Sequence, residues 1–240
     1  GADARNGEAV AHVYAAKGRP SFNPLIVHVA DLDMAQRHGT FDEQALALAE
    51  EFWPGPLSIV VPLAPGHGLS SLVTAGLDTV ALRVPAHPVA RALLARFIGP
   101  VAAPSANPSG RISPTTPEHV MAGLKGKIDA ILEGGTCTVG LESTIVGGPP
   151  PVLLRKGGVS EEEIAQITGP LAQAGPDITA PGQLASHYAP NTALRRNADT
   201  ARPGEALLGF GPMACDLNLS PTGDLIEAAA NLFAHLHTLD

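Results

Sequence analysis

The sequence predicts an α/β fold followed by the start of a second α/β unit. Three observations carry this. Short apolar runs bounded by turn residues alternate with segments of helical period along most of the chain. Apolar residues make up 45 % of the 240, enough for a sizeable core, while charged residues are only 16 %. Glycine and proline number 26 and 23 without a repeat period, which reads as many turns around a packed interior.

The elements follow in order. Val10, Val13 and Tyr14 share a helical face over 7–17, which runs into Lys17. "KGRPSFNP" (17–24) is a loop and "LIVHVA" (25–30) a strand. Ala45, Leu48, Ala49 and Phe52 line a helix over 43–52 that "WPGP" (53–56) stops. "LSIVVPL" (57–63) and "TVALRVP" (79–85) are strands, and Ala90, Leu93, Leu94 and Phe97 form the next helical face. "VAA" (101–103) is a short strand leading into the hydroxyl-rich "APSANPSGRISPTT" (103–116), whose last residue, Thr116, caps a helix with Pro117 at its first position. "DAILEGG" (129–135), "STIVGG" (143–148) and "PVLLRKGG" (151–158) read as short strands. Ser160 and Glu163 form a capping box for a helix to about Ile167. Seven of the 24 residues in 169–192 are Gly or Pro and periodicity is absent, so this stretch reads as a linker. "EALLGFG" (205–211) is a strand, and 220–240 a helix capped by Ser220, with Pro221 at its first position and Leu225, Ala228, Leu232 and Leu236 on one face. The expected domains are 1–168, a linker 169–192, and a partial α/β domain 193–240. Gly1 and Asp240 both read as cuts rather than natural termini.

A net charge of −8 argues against a general nucleic-acid binder. Cys137 and Cys215 lack zinc or redox spacing and read as thiols in a reducing compartment. No apolar run reaches membrane-helix length and no signal peptide opens the chain, so a cytoplasmic protein without membrane contact is expected. P-loop, GxGxxG, GxSxG and HExxH patterns are missing, so a nucleotide would bind in an uncommon way. His235 and His237 stand two apart on a helix and face away from each other, which disfavours a metal pair.

Four cations sit at element ends: Lys17 and Arg19 in "KGR", Arg83 in "ALRVP", and Arg155 in "LLRKGG". Among only 15 Lys and Arg, that placement suggests an anion site, with Arg suited to bidentate contact and Lys to a point charge. Hydroxyls and amides accompany them: Ser105 with Asn107, Ser113 with Thr115, and Ser143 with Thr144. For Thr115 and Thr116 turn and capping chemistry is the better account; Ser105 and Asn107 stay open between turn chemistry and a ligand beyond a strand end. His28 is either a satisfied core histidine or a hydrogen-bond partner of a small polar substrate. Residue chemistry alone therefore reaches a cationic, hydroxyl-rich cleft for a phosphorylated or carboxylated small molecule.

Six ordered blocks, "KGRPSFNPLIVHV", "FWPGPLSIVVP", "VALRVPAHP", "APSANPSGRISPTT", "LESTIV" and "LLRKGG", resemble the YrdC/YciO/Sua family of threonylcarbamoyl-AMP synthases over roughly residues 1–170. The family's K-x-R and S-x-N pair stands as Lys17–Arg19 and Ser105–Asn107. "PGQLASHYAP" (181–190) resembles the linker of two-domain members, and 193–240 part of their Rossmann-like C-terminal domain. The resemblance implies a twisted open mixed sheet around a large cationic cavity. It implies synthesis of threonylcarbamoyl-AMP and pyrophosphate from L-threonine, bicarbonate and ATP, with magnesium on the triphosphate and no protein-bound metal. The product would feed a downstream threonylcarbamoyl-transferase complex that modifies adenosine 37 of tRNA. Lys17 and Arg19 would face the triphosphate; Asn23, Thr79, the backbone at Ala103, Ser105, Asn107, Ser113 and Arg155 would hold the nucleotide. His28, Arg83 and Ser143 would hold threonine, with Arg83 on its carboxylate, and His187 or Tyr188 of the linker would touch the ligand. The family's "PTET.YGLG" block is missing, so the chain reads as a piece of a longer one. Two rivals remain: a non-catalytic RNA- or nucleotide-binding module of the same fold, and a carbamoyl-phosphate-dependent transferase domain, which would carry zinc-finger and acylphosphatase segments absent here.

Overall fold

Alternation of apolar residues at 25–29, 57–61 and 80–84 lets strands bury one set of side chains on each face. The computed structural model describes residues 1–175, 180–181 and 188–240. Along it lie β1 (Ala2–Asp3), α1 (Gly7–Lys17), β2 (Ile26–His28), α2 (Leu32–Gln36), α3 (Glu43–Phe52), β3 (Leu57–Pro62), α4 (Ser71–Thr74), β4 (Thr79–Arg83), α5 (Pro88–Phe97), β5 (Val101–Ala102), α6 (Pro117–Leu124), β6 (Thr144–Gly147), β7 (Val152–Arg155), α7 (Glu161–Thr168), β8 (Ala172–Gln173), β9 (Leu208–Gly209), β10 (Leu217–Asn218) and α8 (Leu225–Leu239). They divide into two units: Gly1–Pro104 with Glu142–Ala185, and Ser105–Leu141 with Ser186–Asp240.

The first unit is a mixed eight-stranded sheet in the order β1-β5-β2-β4-β3-β6-β7-β8, so the expected α/β class with a mixed sheet is what the chain adopts. One face carries Val27, Val80, Leu82, Ile59, Val61 and Val146, packed on Val10 and Tyr14 of α1, Leu48 of α3 and Ile164 of α7. Each such side chain, buried from water, contributes about 1.5–3 kcal/mol, so this face holds the main core. The alternate residues Ile26, Val60, Ala81 and Ile145 form a much smaller cluster on the other face, with Leu154 and the fully buried Ala180. A thin apolar floor leaves that face for polar side chains.

Pairing direction decides which residues meet at the sheet's ends. β2 and β4 run parallel with His28 beside Arg83. β3 is antiparallel to β4 and β6 parallel to β3, so both start where β2 and β4 finish. β7, antiparallel to β6, finishes there with Arg155 opposite Ile145.

Local capping chemistry places the helices. Asn6 caps α1, and Gly18, left-handed at φ 61°, ends it with Arg19 N–H donating to Tyr14 O at 3.0 Å. Ser160 and Glu163 form the expected capping box of α7, and Thr116 caps α6 with Pro117 behind it. On α5 only Leu94 is buried; Leu93 and Phe97 are exposed, and the Arg5 guanidinium lies 5.5 Å from the Phe97 ring centre.

The second unit contains α6, α8 and the two-stranded parallel sheet of β9 and β10. Three expectations change here. Residues 129–135 form no strand; their exposure explains why, since an apolar run without a buried face has nothing to pair for. The strand expected over 205–211 is confined to Leu208–Gly209. The last helix starts at Leu225 with Asp224 as cap, because the Ser220 hydroxyl instead accepts from Asp224 N–H at 2.9 Å and closes a turn. Its buried residues are Ala228 and Phe233, while Leu225 is exposed.

Candidate functional site

The "KGR" turn is anchored from within. Lys17 and Arg19 are 6 % and 8 % exposed, low values for cations. Arg19 Nε donates to Asn23 O at 3.1 Å, and its Nη2 donates to Asn23 Oδ1 and Pro24 O, each at 2.7 Å. The Tyr14 hydroxyl lies 3.0 Å from Asn23 O and 2.9 Å from Leu72 O, tying the same loop to α1. The Asn23 amide nitrogen is buried without a hydrogen-bond partner. Burial, and then the Arg19 charge, lower the Lys17 ammonium to about 8, against a smaller opposing pull from Glu142.

The polar residues of the open face sort along its strands. Thr79, Ala81 and Arg83 occupy alternate positions of β4, and two strand repeats separate Thr79 from Arg83 by about 13 Å. At the Thr79 end lies Ala103, whose N–H donates to Ile26 O at 3.0 Å. Asn23 belongs to the same end, because it precedes β2. At the Arg83 end lie His28, Ser58, Ser143 and Arg155. Arg83 Nε donates to Gly55 O at 2.9 Å. Burial lowers the Arg83 guanidinium, with Glu142 opposing and Arg155 adding to the shift. His28 is held down to about 3, first by burial and then by Arg83, so it is neutral at pH 7; its Nδ1 has no hydrogen-bond partner.

Ser143 is held by two neighbours. Arg155 donates to Ser143 O from Nε at 3.0 Å and from Nη2 at 2.7 Å, and Nη2 also donates to Ser143 Oγ at 2.9 Å. Ser58 Oγ lies 2.8 Å from Ser143 Oγ. Beside them, Thr144 turns to the opposite face and donates to Val159 O at 2.6 Å. Gly157 approaches so closely that a Cβ there would lie 2.3 Å from Glu142 O.

The first unit thus brings together Lys17, Arg19, Asn23, His28, Thr79, Arg83, Ala103, Ser143 and Arg155. Ser105, Asn107, Ser113 and Tyr188 belong to the second unit, and His187 lies outside the described residues. There the Asn107 amide donates to Arg111 O at 2.7 Å and to Pro108 O at 3.2 Å, which closes the loop on itself. The His237 Nε2–H donates to Ser113 O at 3.0 Å, and the His237 ring stacks on His119 at 3.9 Å. Tyr188, left-handed at φ 56°, leans on Phe233 with ring centres 5.6 Å apart. Sequence reasoning did not single out Tyr14, Gly55, Ser58, Glu142 or Gly157. The signal for Gly55 and Ser58 was their place in "WPGPLS", a turn that feeds directly into an apolar strand.

Among the described residues no group of three or more His, Cys, Asp or Glu could hold a metal ion. No described helix is long and apolar enough to cross a membrane.

Comparison with known proteins agrees on one family. The Sua5–YciO–YrdC family model, described as "Telomere recombination", matches residues 1–157, and the model of the threonylcarbamoyl-AMP synthase C-terminal domain matches 159–240. Threonylcarbamoyl-AMP synthase of Bacillus subtilis is 46 % identical over 203 residues, 81 % of this chain and 58 % of the relative. The synthase of Schizosaccharomyces pombe is 44 % identical over 216 residues, 80 % of this chain and 53 % of the relative. The chain therefore spans a little over half the length of these curated relatives. The crystal structure of P. abyssi Sua5 complexed with L-threonine matches with a TM-score of 0.88 at 36 % identity, over 100 % of this chain and 78 % of that one. Motif order, mixed sheet and these matches place the chain in the Sua5–YciO–YrdC family, with the threonylcarbamoyl-AMP synthase C-terminal domain model matched behind it.

Proposed function

We propose that the protein is an L-threonylcarbamoyladenylate synthase, a nucleotidyltransferase that makes threonylcarbamoyl-AMP and pyrophosphate from L-threonine, bicarbonate and ATP. One observation carries the reading. The residues expected to hold threonine, His28, Arg83 and Ser143, lie at one end of the open sheet face, while Asn23, Thr79 and Ala103, expected for the nucleotide, lie at the other. A separation of about 13 Å suits a threonylcarbamoyl group and an adenylate laid end to end. The L-threonine in the matched P. abyssi Sua5 structure supports the same reading.

The chemistry asks for positioning and charge neutralisation more than for a nucleophile. The threonine ammonium loses a proton, and its nitrogen bonds to the carbon of bicarbonate-derived carbon dioxide, giving a carbamate. A carbamate oxygen attacks the α-phosphorus, the bond to the bridging α–β oxygen breaks, and pyrophosphate leaves with the electron pair. Arg83 would pair with the threonine carboxylate. Neutral His28, with an unpartnered buried ring nitrogen, offers a hydrogen bond without adding charge. Lys17 and Arg19 would meet the triphosphate; Ser105, Asn107 and Ser113 keep the nucleotide role that the family resemblance implies. Arg155 is engaged with Ser143, so its part in nucleotide binding would be joined to the threonine side. Magnesium would come on the triphosphate. The product would pass to a tRNA-modifying transferase complex in the cytoplasm. The test is pyrophosphate release: it should require threonine, bicarbonate and ATP together, and release from ATP that ignores threonine would sink the proposal.

A further inference from the structure

Ser58 has a part in no expectation above, yet its hydroxyl decides what Ser143 can do. Ser58 is fully buried within β3, on the same face as Val60 of the apolar floor. Ser143 shares that face with Ile145 and is 1 % exposed. The register pairs Ser58 with Ile145, which puts Ser143 on the diagonal from Ser58, within reach across two neighbouring strands. Their oxygens are 2.8 Å apart, and either could be the donor.

Which hydroxyl donates turns on which proton a ligand can meet. The only hydrogen-bond partner of the Ser58 hydroxyl among the described residues is Ser143 Oγ. Either choice leaves one buried hydroxyl proton without a protein acceptor among the described residues: that of Ser58 if Ser143 donates, that of Ser143 if Ser58 donates. Of the two, only Ser143 stands among the residues expected to hold the amino acid, so only its proton has a ligand to meet, and Ser58 is taken as the donor. Ser143 Oγ then accepts twice, from Ser58 and from Arg155 Nη2 at 2.9 Å, which fills both lone pairs of a hydroxyl. Its own proton finds no protein acceptor among the described residues, because its other contacts are donors. We propose that Ser58 is a positioning residue: it and Arg155 lock the Ser143 hydroxyl as a pure donor whose proton is presented to an anionic oxygen of the bound amino acid. Two incoming donors, one a guanidinium, also polarise that O–H and strengthen the bond it makes.

The proposal rests on threonine being the amino acid held at this end of the sheet. The test is isothermal titration of the protein with L-threonine, and separately with ATP, for wild type, Ser58→Ala, Ser58→Thr, Ser143→Ala and the Ser58→Ala/Ser143→Ala pair. Ser58→Ala should weaken threonine by at least about tenfold, the scale of one hydrogen bond to a charged group, and leave ATP affinity and the thermal midpoint within error. Ser58→Thr keeps the hydroxyl and should restore threonine affinity to within about threefold of wild type. The double variant should bind no more weakly than Ser143→Ala alone, since Ser58 acts only through Ser143. Wild-type affinity in Ser58→Ala, or a double variant weakened by the product of the two single effects, overturns the role of Ser58 while threonine binding by the wild type stands. A wild type that binds ATP but no threonine overturns the proposed function, and the role of Ser58 with it.

Discussion

Lys17 illustrates what burying a candidate anion-binding cation costs a fold. An ammonium at 6 % exposure is poorly hydrated, and its lowered value of about 8 expresses that burden. Between about 8 and the ordinary 10.5 the unfolded chain holds the proton that the folded chain has lost, so stability rises as pH climbs through that window. Lys17→Met should therefore raise unfolding stability by about 1–2 kcal/mol at pH 7 and by nearly nothing above pH ~10.5, while abolishing pyrophosphate release. Thermal unfolding at the two pH values checks this, and a destabilised Lys17→Met at pH 7 would show that the contacts of the ammonium outweigh its loss of hydration. If Lys17 meets the triphosphate as proposed, the charge it offers declines as pH rises through about 8, so kcat/KM for ATP should fall on the alkaline side of that value. Arg83 makes the complementary case. Held on Gly55 O and lying beside His28, it is expected to act on the amino acid. Arg83→Ala should raise the threonine requirement roughly thirtyfold or more with little change in the ATP requirement, read from pyrophosphate release. A change in the ATP requirement alone would reverse the orientation proposed for the ligand.

At the scale of elements, two glycines show why some positions are replaceable and others not. Gly18 ends α1 at φ 61° with open space around it, so Gly18→Ala meets only backbone strain, about 1 kcal/mol. Gly157 is not left-handed, but a methyl there would sit 2.3 Å from Glu142 O and 2.5 Å from Thr144 N. Backbone must move, and with it the Ser143 carbonyl that Arg155 holds. Gly157→Ala should cost about 2–4 kcal/mol and weaken threonine use, whereas Gly18→Ala should do neither to that extent; denaturant midpoints compare them directly. Elements were legible where local chemistry dictates them. The Ser160–Glu163 box, Thr116–Pro117, and the 43–52 helix with its 3.6-residue period all lie where the sequence puts them. The start of α8 was not legible, because Ser220–Pro221 satisfies the same local pattern as a true cap. Only the tertiary choice of the Ser220 hydroxyl, as a turn acceptor, moves the cap to Asp224. Two-residue strands such as β1, β5, β8, β9 and β10 are too short to show a period, so VAA and part of EALLGFG were visible only through their flanks.

At the scale of the whole molecule, the candidate residues at the sheet's ends were legible as residue types at element ends and as ordered blocks. Residue chemistry alone did not sort them into two groups, since that depends on strand order and direction, which no local pattern encodes; the sorting came with the family resemblance. Ser58 was invisible for the same reason: its partner is 85 residues away. The net charge of −8 also belongs to this scale. If the chain acts on small molecules, its affinity for tRNA should be weak and without the steep salt dependence of a phosphate-tracking surface. Filter binding of labelled tRNA across ionic strengths would expose the opposite case, the RNA-binding module. The chain's path has a further consequence. Residues 105–141 leave the first unit and the chain returns to it at Glu142, so the second unit is discontinuous in sequence and no single cut separates the two. A chain stopped after residue 168 would keep β2, β3 and β4 yet deprive the hydroxyl-rich loop of the His237 donor to Ser113 O and the close approach of Gly140 to Ala229 and Ala230. Amides of 105–141 should then exchange rapidly while those of the central strands stay protected, and equal protection in both lengths would show that the loop folds unaided. The order of the loop that carries Ser113 would in this way depend on a histidine 124 positions downstream.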